Sequence, residues 1–163
     1  MLRLLPVLIA TSLITTSLFA ADPAGFAVWR SGDLKGYEKS LAPKISSLKE
    51  GQTKSVTQDL GNFANHRTLV NHREGNGEME VHADWNDLFV VQSGEATILI
   101  GGTVMNGKTT APGEIRGTTS TGGEKHKVGA GDIVHIPANV PHQILIDAGK
   151  QVTYFAVKIP AAK

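Results

Sequence analysis

Two histidines and two carboxylates set the chemistry this chain could perform. Glu80 and His82 flank a single valine, Asp87 follows a short polar stretch later, and His142 lies far down the chain. In an extended strand alternate side chains share a face, so Glu80 and His82 point the same way. The same rule groups Asp87 with Phe89 and Val91, and His142 with Ile144 and Ile146. If all four polar groups face inward, each has apolar neighbours. Buried carboxylates are costly unless they are protonated or paired with a cation, and a metal meets that need directly. Imidazole and carboxylate donors suit Fe, Mn, Ni or Zn as divalent ions, and the residues do not choose among them. Glu80 has a second reading, as a general base beside the metal.

His135 is the next candidate, either as an acid or base lining the same cavity or as a surface-facing residue. His66 and His72 stand in a polar run beside Arg67 and Arg73, where a solvated strand face is expected. His126 lies between lysines and reads as exposed. Trp85 either rims the cavity mouth or packs in the core.

The elements that must position these groups are mostly strands. From about residue 55 the apolar period is two, with expected strands at 54–60, 67–72, 78–82, 88–92, 96–101, 125–128, 132–136, 143–146 and 151–159. Ser93-Gly94 and Ala148-Gly149 read as tight turns. Many short strands without intervening helices predict an all-β, antiparallel sandwich or barrel. Before them, residues 33–48 carry Leu34, Tyr37, Leu41, Ile45 and Leu48 at helical spacing, with Asp33 as the expected N-cap and Pro43 expected to kink or split the helix. Residues 102–124 read as a long Gly/Thr-rich loop, either a functional lid or a mobile segment, with Glu114 and Arg116 its residues of interest.

Residues 1–20 have the layout of a secretory signal peptide: a basic start at Arg3, an apolar stretch, then Leu18-Phe19-Ala20. The expected organisation is therefore a signal peptide (1–20), an N-terminal extension with a helix (21–54) and a β-barrel (55–163). The expected location is periplasmic or extracellular, with no stable membrane insertion after cleavage. The full chain carries 16 basic and 15 acidic residues, so loss of Arg3 leaves a formal balance. Such a balance, without clustered Lys and Arg, argues against a nucleic-acid partner. With no cysteine, stability must come from the core or from a metal.

Two runs carry a resemblance to a known family. One is Glu80-Val-His82-Ala-Asp84-Trp-Asn-Asp87 through Gly94, and the other is Gly131-Asp-Ile-Val-His135-Ile-Pro137-Ala-Asn139-Val-Pro141-His142. They resemble the two motifs of the cupin superfamily, over roughly residues 75–158. Glu80 falls on the first histidine position of the family, His82 on the second, and Asp87 on the glutamate. In the second motif Gly131, Pro137 and His142 match, while Asn139 replaces a glycine and Ile146 a final asparagine. A second alignment sets His82 and Asp84 on the histidine pair. The resemblance implies an antiparallel jelly-roll barrel and a metal set of Glu80, His82, Asp87 and His142. It also implies a small-molecule ligand or substrate and a capacity to form homodimers. Two functions stay open: a metal-dependent enzyme of dioxygenase, isomerase or lyase type, and a non-catalytic sugar- or metabolite-binding module. A nucleophile hydrolase is disfavoured, because Gly-x-Ser-x-Gly and cysteine are both absent.

Overall fold

The computed structural model describes residues 22–162, and the expected signal peptide lies outside the described residues. One helix, α1 (Ser31–Ile45), precedes twelve strands: β1 (Ser55–Phe63), β2 (His66–Arg73), β3 (Met79–His82), β4 (Trp85–Ile100), β5 (Thr103–Met105), β6 (Lys108–Ala111), β7 (Glu114–Gly117), β8 (Thr119–Thr121), β9 (Glu124–Gly129), β10 (Ile133–Ile136), β11 (His142–Leu145) and β12 (Val152–Pro160). All pairings are antiparallel. The main sheet runs β1-β2-β12-β4-β11-β3-β7-β6, with β9 and β10 also paired to β4, and β5 with β8 forms a separate ribbon.

Strand β4 organises the fold. Its first half pairs with β12 and β10, its second half with β11 and β9. Ser93-Gly94, expected as a turn, is instead part of this continuous strand. The register against β12 shifts by one residue here, with Thr153 opposite Ser93 and Tyr154 opposite Val91. Such a bulge reverses side-chain parity. Asp87, Phe89 and Val91 are buried before it, and Ala96 and Ile98 after it, so both halves feed one interior. Gly94 has φ +73°, and a Cβ there would lie 2.0 Å from the Gln151 carbonyl oxygen. Only glycine fits both the backbone and the space.

The core joins Leu69, Phe89, Val91, Ala96, Ile98, Ile136, Ile144, Ile146, Val152, Tyr154 and Ala156. Phe89 and Tyr154 pack ring to ring at 4.8 Å. These inward rows come mainly from alternate positions of β2, β4, β10, β11 and β12, as a period-two pattern requires.

Helix α1 docks Leu41 and Ile45 from outside, against β1 and β2. Two expectations for it are corrected. Arg30 occupies the N-cap without a side-chain cap, and Asp33 sits in the first turn, where its charge favours the helix dipole. Pro43 neither splits nor ends the helix at once. It falls in the last turn, where it removes its own N–H bond and the helix ends two residues later, at Ile45. The segment 102–124 is likewise no open loop. It holds β5 to β8, with turns at Gly113 (φ +73°) and Gly122 (φ +79°). Strands of three or four residues are too short to display an apolar period.

Candidate metal centre

The four sequence-selected groups converge on one cavity. Glu80 and His82 are presented by β3, Asp87 by β4 and His142 by β11, and pairing of His142 with Glu80 brings the last strand alongside the first. His82 Nε2 lies 3.4 Å from Glu80 Oε2 and 3.5 Å from Asp87 Oδ2. His142 Nε2 lies 3.8 Å and 3.5 Å from the same two atoms. Donor atoms of Glu80, His82 and His142 fall within 4.8 Å of one another.

The imidazoles are oriented from behind. His82 Nδ1–H donates to Glu114 Oε2 at 2.7 Å. His142 Nδ1–H donates to the Val140 carbonyl at 3.0 Å. Both contacts turn Nε2 inward, the arrangement that presents a histidine to a metal. His142 Nε2 is buried and has no hydrogen-bond partner among the described residues. A buried nitrogen in that position is costly unless a ligand meets it. Two inward imidazole nitrogens beside two carboxylates, one nitrogen otherwise unmet, fit a divalent transition ion.

Electrostatics in the metal-free state follow from the same contacts. Burial acts to lower the pKa of His82, but hydrogen bonds to Asp87 and Glu80 outweigh it and push the ring up to about 9. Burial acts upward on Glu80, yet the His82 hydrogen bond and the charges of Arg116 and His142 bring it down to about 2. Burial likewise acts upward on Asp87, while His142, His82 and Lys158 hold it far below the ordinary carboxylate range. Lys158 Nζ donates to Asp87 Oδ1 at 2.6 Å and stands 3.2 Å from His82 Nε2.

The cavity, about 340 Å³, is lined by this cluster and by Leu69, Phe89, Ile144 and Ala156 as apolar wall. Thr57, Asn71, Arg73, Arg116, Tyr154 and Lys158 add polar wall. Arg116 lies 3.1 Å from Glu114 and 3.8 Å from Glu80, so it braces a candidate ligand and the partner of another. Trp85 lines a neighbouring cavity with His82, Glu114, Arg116 and Lys158.

Some expectations are corrected. His135 is exposed and reaches neither cavity. Strand β10 buries Ile136 and half-buries Val134, so the alternate positions Ile133 and His135 face outward. The second alignment also falls, because Asp84 lies outside the cluster beside Gly113. His72 is not solvated. It is 1% exposed, with Nδ1 at 2.8 Å from Thr153 Oγ1 and Nε2 at 3.1 Å from Glu74. His126 is exposed as expected. Asn139, standing where the family motif has glycine, takes φ +65°, a conformation asparagine tolerates better than most residues.

The sequence reading missed Lys158, Tyr154 and Arg73. Lys158 carried a signal: it is the single charge in the run Val-Thr-Tyr-Phe-Ala-Val-Lys-Ile-Pro, at the same parity as Tyr154 and Ala156.

No protein-family model matches this sequence, and no curated protein does. Among solved structures the chain is similar to the polyketide cyclase RemF from Streptomyces resistomycificus, at 14% identity over 66% of each chain with a TM-score of 0.48. It is similar to a candidate mannose-6-phosphate isomerase from Ralstonia eutropha, at 18% identity over 71% of this chain and 94% of that one, TM-score 0.48. The DMSP lyase DddQ from Ruegeria pomeroyi matches at 14% identity over 64% and 46%, TM-score 0.47. The chain thus spans about two thirds of the length of RemF and under half that of DddQ. These likenesses carry no argument about chemistry, which rests on the geometry above. The strand pairing itself, antiparallel and wrapped around one interior, agrees with the cupin-type jelly roll implied by the motifs.

Proposed function

We propose that this chain is an exported, metal-dependent cupin-type enzyme acting on a small organic substrate in the β-barrel cavity. One observation carries the reading: both imidazoles are held through Nδ1 so that Nε2 faces two carboxylates in a half-apolar cavity. Glu80, His82 and His142 would hold the ion, with Asp87 as a fourth donor held by Lys158. A bound Fe, Mn, Ni or Zn would supply Lewis-acid chemistry at a substrate oxygen or, for iron, oxidation. The chain's own groups do the rest. Leu69, Phe89, Ile144 and Ala156 exclude water from one side of the substrate. Arg116 steadies Glu80, and Lys158 keeps Asp87 ionised beside it. Burial raises the pKa of Tyr154, which therefore retains its phenolic proton at neutral pH as a hydrogen-bond donor.

Export rests on the character of residues 1–20 and is part of the proposal, as is a homodimer. In the main sheet β1 is one of the two end strands, β6 being the other, and edge strands offer unpaired backbone groups to a partner.

A second reading, a metal-free binding module, is favoured by Lys158. Its ammonium and the His82 proton already neutralise Asp87 and Glu80 in part. It leaves His142 Nε2 without a partner, which is why it ranks second. Elemental analysis of the wild type and of the His82→Ala/His142→Ala double variant tests the choice. About one equivalent of metal in the wild type and none in the variant is expected. Absence of metal from both after reconstitution would overturn the enzyme reading.

A further inference from the structure

Arg73 closes β2 and lines the same cavity as the metal cluster. It is 8% exposed, and its Nε and Nη1 are buried without a hydrogen-bond partner among the described residues. A guanidinium in that state is rare, because a buried cation without a partner is strongly disfavoured. Its neighbours explain its position but do not neutralise it: the Tyr154 hydroxyl is close enough to interact with the guanidinium but carries no charge. Gly77 clears space for it, since a Cβ there would stand 2.8 Å from Nη1. Among the described residues no carboxylate lies within ion-pair distance of Arg73, although Glu80 pairs with Arg116 and Asp87 with Lys158.

We propose that Arg73 is the seat for a carboxylate group of the substrate. The planar fork of Nε and Nη donors matches a carboxylate bidentately. A monoanion suits the site better than a phosphate dianion, because Arg73 brings one charge and Glu78 lines the same space. Arg73 and Gly77 line the same cavity of about 340 Å³ as Glu80, His82, Asp87 and His142, so the seat and the metal cluster face one space. The substrate class is then a small organic acid whose carboxylate and reacting group both fit within that cavity. This rests on the proposed function only for the reacting end. The anion seat itself needs no metal.

Butyrate and its uncharged isostere butyramide separate the two ideas. Each is titrated calorimetrically into EDTA-treated and Mn(II)-reconstituted full-length protein, for the wild type, Arg73→Gln and Gly77→Ala, with metal content measured in parallel. Butyrate should bind the wild type in both states, butyramide at least tenfold more weakly. Arg73→Gln should lose at least tenfold in butyrate affinity while its metal content is unchanged. Gly77→Ala, which pushes the guanidinium aside, should weaken butyrate in the same direction and guards against a folding defect in the first variant. Arg73-dependent binding in a protein that takes up no metal would uphold the seat and sink the metal reading. Wild-type binding unchanged by both substitutions, equal binding of acid and amide, or no butyrate binding to folded wild type would each overturn the seat and leave the metal centre untouched.

Discussion

Metal binding to this site should release a proton and strengthen steeply with pH. In the metal-free protein His82 holds its second proton up to about pH 9, because Nε2 faces Glu80 and Asp87. An ion bound through Nε2 must expel that proton. At pH 7 the group sits about two units below its pKa, so the competition weakens apparent affinity by about 100-fold, or about 2.7 kcal/mol. Apparent affinity should therefore rise about tenfold per unit from pH 7 towards 9, then level off. An unperturbed histidine, titrating near 6.5, would give almost no slope in that window. Glu80 and Asp87 contribute none either, being held at about 2 and lower still. The assay is competition for Mn(II) against a chromophoric chelator between pH 7 and 8.5. Calorimetry in buffers of different ionisation heat should count about one proton released at pH 7. A flat affinity with no proton release would refute the assignment of that proton to His82.

Three further outcomes follow from the same geometry. Glu114→Ala removes the acceptor behind His82 Nδ1 and should weaken metal affinity by about 10- to 100-fold with an unchanged circular dichroism spectrum; unchanged affinity would mean that Glu114 does not orient the ring. Gly94→Ala should destabilise the fold by about 2–4 kcal/mol in urea titration, since Cβ meets the Gln151 carbonyl at 2.0 Å and φ is +73°. Metal-free protein should be most stable between about pH 4.5 and 6.5. The raised His82 pKa gives a contribution fully present below 6.5 and lost as pH rises through about 9, on the order of 3 kcal/mol. The lowered Glu80 pKa gives one present above 4.5 and lost as pH falls through about 2. Melting temperatures in EDTA across pH 3–9 read both limbs, and metal should flatten the alkaline one.

The residues most easily read from the sequence were those governed by local rules. Parity along a strand groups Glu80 with His82, and Asp87 with Phe89, before any pairing is known, because neighbouring side chains must point to opposite faces. The same parity puts His135 outward once the structure shows its neighbour Ile136 buried. Alternation also hid a feature: the bulge in β4 reverses parity at Ser93-Gly94, and a one-residue reversal looks like a turn between two strands.

What the tertiary structure alone decided is which distant groups meet. The pairing of β11 with β3 sets His142 beside Glu80, and pairing of β3 with β7 sets Glu114 opposite His82 and Arg116 opposite Glu80. Lys158 reaches Asp87 because β12 pairs with β4 in one register. His72 is buried because both β1 and β12 flank β2 and put a polar partner, Thr153, at its ring. The sequence by itself determined residue types and the face each occupies, since both depend on neighbours in the chain. Strand order and register depend on long-range burial and hydrogen bonding, which no local spacing encodes, and they alone decided which carboxylate each imidazole meets and which cation stays unpaired.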